Sequence, residues 1–273
     1  MTGTAASTGG WGRRRLLATV GGALAAAALV VVGLGYGIYG AVTSPASGRP
    51  AVSPATGVPG VDTTAHGPAH RDAVAAAAML TVRPEDARRG IPAATPLPTF
   101  AVPPATRVGP ARVPTGFPHT PEGAVGQLAA IETSVLEAMS IPYAAAVYAE
   151  WALPGGVGAP AWELTANVQA FLGSRAGAQD MAGAVAVTVI PAAGLVKGTD
   201  GADWVLACVL LDVRAVAVGR GRIGYGHCER MLWADDRWLI GPGPAPARAP
   251  STWPGTDLAR AAGWRTWTPT GQE

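Results

Sequence analysis

Residues 16–42 form a continuous run without a single charged side chain, and this run constrains the chain more than any other feature. A helix needs roughly 20 apolar residues to cross a bilayer, whereas the apolar core of a secretory signal peptide has only about 7–15. The run therefore predicts one transmembrane helix. The alternative is a signal peptide that is cleaved within residues 41–47, where small side chains are common.

Three arginines directly before this run indicate its orientation. Arg13, Arg14 and Arg15 flank its N-terminal side, and the next basic residue on the other side is Arg49. Because segments rich in Lys and Arg stay on the cytoplasmic side, we expect residues 1–15 in the cytoplasm and the rest of the chain outside it. The expected location is the cell membrane, in single-pass form, and the lipid bilayer is the first expected partner.

The part beyond the membrane run divides by composition into a linker, a domain and a tail. Residues 43–115 are rich in Pro, Ala, Thr and Gly, which predicts an extended linker because proline supplies no backbone donor. Residues 72–83 could still form a short helix there, either transient or docked. Residues 116–241 hold the regular patterns of a domain. Residues 242–273 are a Pro-rich tail whose three tryptophans predict that it folds back or meets a partner.

Hydrophobic periodicity places helices before strands within the predicted domain. Thr120 and Pro121 are typical of a helix start, and apolar side chains then recur at helical spacing up to Met139. Two further helices and four strand-like runs follow, with a tight turn at Asp235 and Asp236 between the last two runs. This order predicts an α+β fold, with three helices followed by a curved antiparallel sheet.

Cys208 and Cys228 are the only two cysteines in the chain. They lie on neighbouring predicted strands, and a hairpin centred near Val218 would place them opposite each other. Outside the cytoplasm we therefore expect a disulfide between them, because that compartment is oxidising. Two buried free thiols are the alternative.

Motifs for catalysis or cofactor binding are few. Residues 219–224 match the glycine pattern of a dinucleotide-binding loop, but a strand-like run follows instead of a helix, which favours a hairpin. No His or Cys pair has metal-ligand spacing. We therefore expect no enzyme, cofactor or metal site. Of the acidic and basic side chains, Asp212, His227 and Glu229 could meet in a sheet pocket, although pairing at the surface is the commoner fate of such groups.

Two short sequences resemble the NTF2-like, or cystatin-like, superfamily. One is Gly-Phe-Pro-His-Thr-Pro-Glu-Gly-Ala-Val at residues 116–125, and the other is Trp-Ala-Asp-Asp-Arg-Trp at residues 233–238. The resemblance implies three helices packed on a curved sheet. Joined to one membrane anchor, such a domain is similar to the VirB8 and TcpC type components of bacterial conjugation and type IV secretion, which are scaffolds that assemble with other channel subunits.

These inferences favour a non-catalytic scaffold whose outer domain binds other membrane or envelope proteins, with a homo-oligomer as a further expected assembly. Nucleic-acid binding is not expected, since the net charge is only +2. Two alternatives stay open. One is an extracytoplasmic small-ligand-binding or enzymatic domain, and the other is a cell-envelope regulatory protein.

Overall fold

The computed structural model of the chain describes residues 65–173, 178–181, 183, 185–216 and 219–270. The predicted cytoplasmic segment 1–15 and the predicted membrane segment 16–42 lie outside these residues. Within the described ranges, no helix has both the length and the apolar character needed to cross a membrane.

Five α-helices occur in the described part of the chain. The first two α-helices of the predicted domain begin at hydroxyl caps: Thr120 Oγ1 accepts from the backbone N–H of Gly123 at 3.1 Å, and Ser140 Oγ accepts from that of Tyr143 at 3.2 Å. Such caps satisfy backbone donors that the first helical turn leaves unpaired. The helices are α1 (Pro68–Ala76), α2 (Pro121–Ala138), α3 (Ile141–Trp151), α4 (Glu163–Leu172) and α5 (Asp257–Ala261).

Six strands form a curled sheet, and two short ones form a separate ladder. The strands are β1 (Thr99–Val102), β2 (Arg107–Val108), β3 (Pro114–Thr115), β4 (Ala186–Asp200), β5 (Trp204–Val216), β6 (Arg220–Ala234), β7 (Arg237–Ile240) and β8 (Arg265–Pro269). The large sheet has the order β1-β8-β4-β5-β6-β7, and β2 pairs with β3. Strands β4 to β7 are the predicted antiparallel meander, while β1 and β8 are parallel to each other. The α+β class is confirmed, and the curled sheet is compatible with an NTF2-like domain.

Two of the three hairpins of the meander lie where the sequence predicted a turn or a glycine-rich loop. Asp235 and Asp236 connect β6 to β7 with φ angles of 50° and 55°, the left-handed conformation that a tight hairpin requires. Residues 220–224 of the glycine-rich stretch are the beginning of β6, which pairs with β5 from Arg220 onward. The glycine-rich stretch is therefore part of a hairpin, as predicted, and no helix follows it.

The main core lies between α2 and the sheet. Val125, Leu128, Ile131 and Val135 recur on one face of α2 and are fully buried. They share one apolar cluster with inward-facing residues of β4, β5 and β6. Each such aliphatic side chain contributes about 1.5–3 kcal/mol on burial, so this face alone is enough to hold α2 on the sheet.

The segment predicted as linker is packed on the domain from residue 65 onward. Phe100 and Val102 of β1 belong to the main core, and Val74 of α1 packs with Trp204 and Leu206 on the opposite face of the sheet. The predicted boundary between linker and domain, at residue 115, therefore lies too far toward the C-terminus. A few apolar side chains among many Pro and Ala residues are sufficient to hold this segment on the domain, because they pack on sheet faces that other parts of the chain form.

The C-terminal tail also packs on the sheet, as its tryptophans predict. Trp264 is 1% exposed, and its Nε1 donates to the carbonyl of Pro250 at 3.0 Å. The ring of Trp253 lies 4.5 Å from the guanidinium of Arg222. Residues 265–269 supply β8, so the tail completes the sheet.

Asp200, at the end of β4, holds the beginning of α1. Its carboxylate accepts hydrogen bonds from Arg71 Nε at 2.5 Å and from the backbone N–H of Gly67 at 3.1 Å, and it lies 3.0 Å from His66 Nδ1. The hydrogen bond from Arg71 is the main reason why the pKa of Asp200 falls from 3.8 to about 2. The ionised carboxylate therefore holds residues 66–71, at the beginning of α1, on the end of β4.

We expect the substitution Asp200→Asn to loosen α1. Hydrogen exchange of the α1 amides at pH 6 should become roughly tenfold faster, because charge-assisted hydrogen bonds are lost. The folded pKa lies below the ordinary one, so the wild type keeps this contribution above about pH 4 and loses it as the pH falls to about 2. The difference between the two proteins should disappear over that interval. Asp203→Asn is the matched control at a 65% exposed side chain, and an equal effect there would contradict the assignment.

Candidate functional site

A cluster of ionisable side chains lies where α2 and α4 meet β6. Tyr225, His227 and Glu229 alternate along β6 and therefore share the face that meets the helices. Glu132 of α2 and Glu163 of α4 approach the same imidazole. Three elements of secondary structure that are distant in sequence thus bring one histidine and three carboxylates together.

The imidazole of His227 is held on one side only. Its Nδ1 lies 2.8 Å from Glu132 Oε1, a hydrogen bond between two residues that are 5% and 0% exposed. On the other side, Nε2 lies 3.6 Å from Glu229 Oε1 and 4.0 Å from Glu163 Oε2. Both of these distances are too long for a hydrogen bond. Glu132 therefore orients the ring, and Nε2 faces two carboxylates across a gap.

Neighbouring side chains position these two carboxylates. Trp162 Nε1 donates to Glu229 Oε1 at 2.8 Å, and the hydroxyl of Tyr225 donates to Glu163 Oε1 at 3.0 Å. Asn167 Nδ2 in turn donates to the oxygen of that hydroxyl at 2.8 Å. The carboxylates are thus fixed by hydrogen bonds rather than left to rotate.

The charges of the cluster shift its pKa values in a consistent way. Burial alone would lower the pKa of His227, but the attraction of Glu132, Glu163 and Glu229 raises it to about 10. Burial raises the pKa of Glu132 to about 7, against the opposing effect of His227. Burial likewise raises the pKa of Glu229. At neutral pH the histidine is therefore an imidazolium among groups of negative or neutral charge.

A cavity of about 300 Å³ adjoins this cluster. It lies between the beginning of α4, the middle of β6 and residues 244–249 of the tail. Its volume is at the lower end of the range of small-molecule sites, about 300–1,000 Å³. Side chains that line it include Tyr148, Trp162, Glu163, Ala166, His227 and Glu229.

The cavity opens at an unpaired edge of β6, because β7 pairs only with residues 231–234. The Cα atoms of Cys208 and Cys228 are 4.0 Å apart, the short spacing that marks a non-hydrogen-bonded pair. The N–H and C=O of Cys228 therefore point away from β5, toward the cavity. The outward groups of neighbouring residues follow the same pattern: Gly226 N–H donates to Ser251 Oγ, and the Arg230 carbonyl accepts from Gly241 N–H.

Two of the three predicted pocket residues come together, and the third does not. His227 and Glu229 are neighbours on the inner face, whereas Asp212 lies on the opposite face of the sheet, the face that carries Cys208. The carboxylate of Asp212 is paired with Arg214 and Arg222, each at 2.6 Å. The prediction that Asp212 joins the pocket is therefore wrong: an even residue number on β5 sends its side chain to the outer face.

Sequence reasoning did not find Glu132 and Glu163. Glu132 did leave a signal, because it is a charged residue directly beside Ile131 within the apolar run of α2. A buried acid at such a position requires a partner elsewhere in the fold. Glu163 left no comparable signal, since an acidic residue at a helix start is ordinary.

The predicted disulfide between Cys208 and Cys228 is confirmed. It joins β5 and β6 directly behind the cavity. Among the described residues, no group of three or more His, Cys, Asp or Glu side chains is arranged to hold a metal ion.

The ionisation of His227 can be followed directly by NMR. We expect its imidazole to stay protonated until about pH 10 and its pKa to fall in Glu132→Gln, which removes the nearest negative charge. Because the folded pKa exceeds 6.5, this protonation stabilises the fold fully below pH 6.5, and the stabilisation is lost as the pH rises through about 10. Glu85→Gln, at an exposed and distant carboxylate, should leave the titration unchanged. A wild-type His227 that titrates near pH 6.5 would refute the coupling.

Comparison with known proteins assigns no family to this chain. No family model matches the chain, no curated protein matches it, and no solved structure matches it. The likeness to the NTF2-like superfamily and to secretion components therefore stays a prediction from the sequence.

Proposed function

We propose that this chain is a single-pass membrane protein whose domain lies outside the cytoplasm and acts as a scaffold for other envelope proteins. The disulfide between Cys208 and Cys228 is the observation that supports this most, because such bonds persist in oxidising compartments and are rare in the cytosol. The charge-free run of residues 16–42 supplies the anchor in this proposal, and Arg13–Arg15 its orientation.

The proposed setting is a bacterial conjugation or type IV secretion apparatus. Three helices followed by a curled sheet, on a single N-terminal anchor, support this assignment by resemblance. Packing of the chain from residue 65 onward restricts the connection to the membrane segment to residues 43–64. The domain is thus proposed to sit nearer the bilayer than a linker up to residue 115 would allow.

Affinity purification from detergent-solubilised membranes after mild cross-linking tests the scaffold role. We expect other membrane or envelope proteins to co-purify with the full chain. The matched control is the anchor alone, residues 1–64, which should not retain partners that bind the domain. Recovery of the full chain without other proteins, or of the same set with the anchor alone, would contradict the proposal.

A second candidate function, small-ligand binding or catalysis outside the cytoplasm, is favoured by one specific observation. A buried histidine, oriented by Glu132, presents Nε2 and two carboxylates toward a cavity. Convergent polar groups in an otherwise apolar pocket are typical of a binding site. A protein can hold partners through its surface and bind a small molecule in this pocket, so the two functions are compatible.

A further inference from the structure

The space in front of His227 Nε2 suits a group that both donates and accepts hydrogen bonds. In the described residues, Nε2 has no hydrogen-bond partner, and the nearest carboxylate oxygens lie 3.6 Å and 4.0 Å away on Glu229 and Glu163. A single small group in the cavity, beside Nε2 and one of these oxygens rather than on the line between them, would accept from Nε2–H and donate to that carboxylate. A hydroxyl does both with one oxygen atom.

Charged ligand groups suit this position less well. An ammonium can donate to the carboxylates, but it has no acceptor, so it leaves the Nε2 proton unpaired and stands beside an imidazolium. A ligand carboxylate would stand beside Glu163 and Glu229, where like charges repel. The chemistry of the three side chains therefore selects a neutral hydroxyl group.

The rest of the cavity offers places for more than one hydroxyl. The N–H and C=O of Cys228 point into it from the open edge of β6 and supply one further donor and one further acceptor. Tyr148 and Trp162 provide aromatic walls on the helix side, and about 300 Å³ leaves room for a molecule of one ring. Several hydroxyls on a single ring would use these groups together.

The two arginines that line the cavity do not alter this selection. Arg230 is committed, because its Nη1 lies 2.8 Å from Asp72 Oδ1 and its Nε donates to the Pro244 carbonyl at 3.0 Å. Arg248 is exposed to solvent at the rim. The imidazolium and the two carboxylates therefore remain the polar groups that a ligand in the cavity would contact.

We propose that this cavity binds a small neutral polyhydroxylated ring, of the saccharide or cyclitol class, with one hydroxyl that accepts from His227 Nε2 and with hydroxyls of the ring donating to the carboxylates of Glu163 and Glu229. The proposal rests on the ligand-binding candidate function and adds the chemical class of the ligand. The same hydroxyl chemistry is offered by a free sugar and by the terminal sugar of a glycan.

Ligand-observed NMR on the full chain in detergent tests the proposal. The neutral probes are glucose, galactose, N-acetylglucosamine and myo-inositol, with methyl glycosides of the sugars as mimics of a glycan end. The charged probes are butylammonium and butyrate. We expect at least one neutral probe to bind saturably, and the preference between free sugar and glycoside identifies the source.

Three variants and one control define the site. Glu163→Gln and Glu229→Gln should each raise the Kd roughly tenfold or more, because a hydrogen bond to a charged group is lost. Ala166→Phe places a large side chain at an exposed rim position and should abolish binding without touching the buried cluster. Glu85→Gln should leave the Kd unchanged.

The outcomes separate two kinds of failure. Saturable binding of a charged probe that Ala166→Phe abolishes, with no neutral probe bound, would overturn the ligand class and keep the cavity as a binding site. Absence of binding for every probe, or binding that all variants leave unchanged, would overturn the cavity as a ligand site altogether.

Discussion

Replacing Glu132 by leucine is expected to lower the free energy of unfolding by about 3–5 kcal/mol, because it removes the nearest partner of a buried imidazolium. Glu132 is 0% exposed and its Oε1 lies 2.8 Å from His227 Nδ1. Solvent cannot replace the lost carboxylate at this depth. Urea unfolding of the full chain in detergent, followed by tryptophan fluorescence with the disulfide intact, measures the loss.

The double variant Glu132→Leu/His227→Leu shows whether the loss comes from the pair. Removal of both partners leaves neither charge stranded, so the double variant should lose less than the sum of the two single losses, by about 2 kcal/mol. The double variant still loses some unfolding free energy, since Glu163 and Glu229 keep their positions without the imidazolium beside them. Simple additivity of the two single losses would contradict the role given to this pair.

Removing the disulfide is the second large expected effect. The double variant Cys208→Ala/Cys228→Ala should lose about 3 kcal/mol of unfolding free energy, since the bond closes a loop of 20 residues and so restricts the unfolded chain. The same unfolding measurement applies. Treatment with a thiol reductant is the internal control: it should destabilise the wild type by a similar amount and leave the alanine variant unchanged. A wild type indifferent to reduction would refute the prediction.

The sequence predicted those parts of the fold that local patterns determine. The cap at Thr120, the apolar face from Val125 onward and the turn at Asp235 and Asp236 each depend on a few adjacent residues. The bridge between Cys208 and Cys228 followed because both lie in one hairpin. These features need no knowledge of the distant chain.

Other features arise only when distant segments meet. Docking of α1 depends on Asp200, which lies 129 residues from Arg71, and the buried pair joins residues 95 positions apart. The face on which Asp212 lies depends on strand register, which a run of apolar residues on β5 does not reveal. Glu132 and Glu163 could therefore not be predicted as members of the candidate site, since packing of distant segments rather than local spacing brings them there.

The most direct test of the account is the redox state of the two cysteines inside the cell. Cells producing the full chain, or a variant without residues 16–42, are quenched with a membrane-permeant alkylating reagent and the protein is analysed by mass spectrometry. We expect an unmodified disulfide between Cys208 and Cys228 in the full chain, and two alkylated thiols in the variant that stays in the cytoplasm. Alkylated thiols in the full chain, or a disulfide in both proteins, would contradict an extracytoplasmic domain delivered by the N-terminal segment.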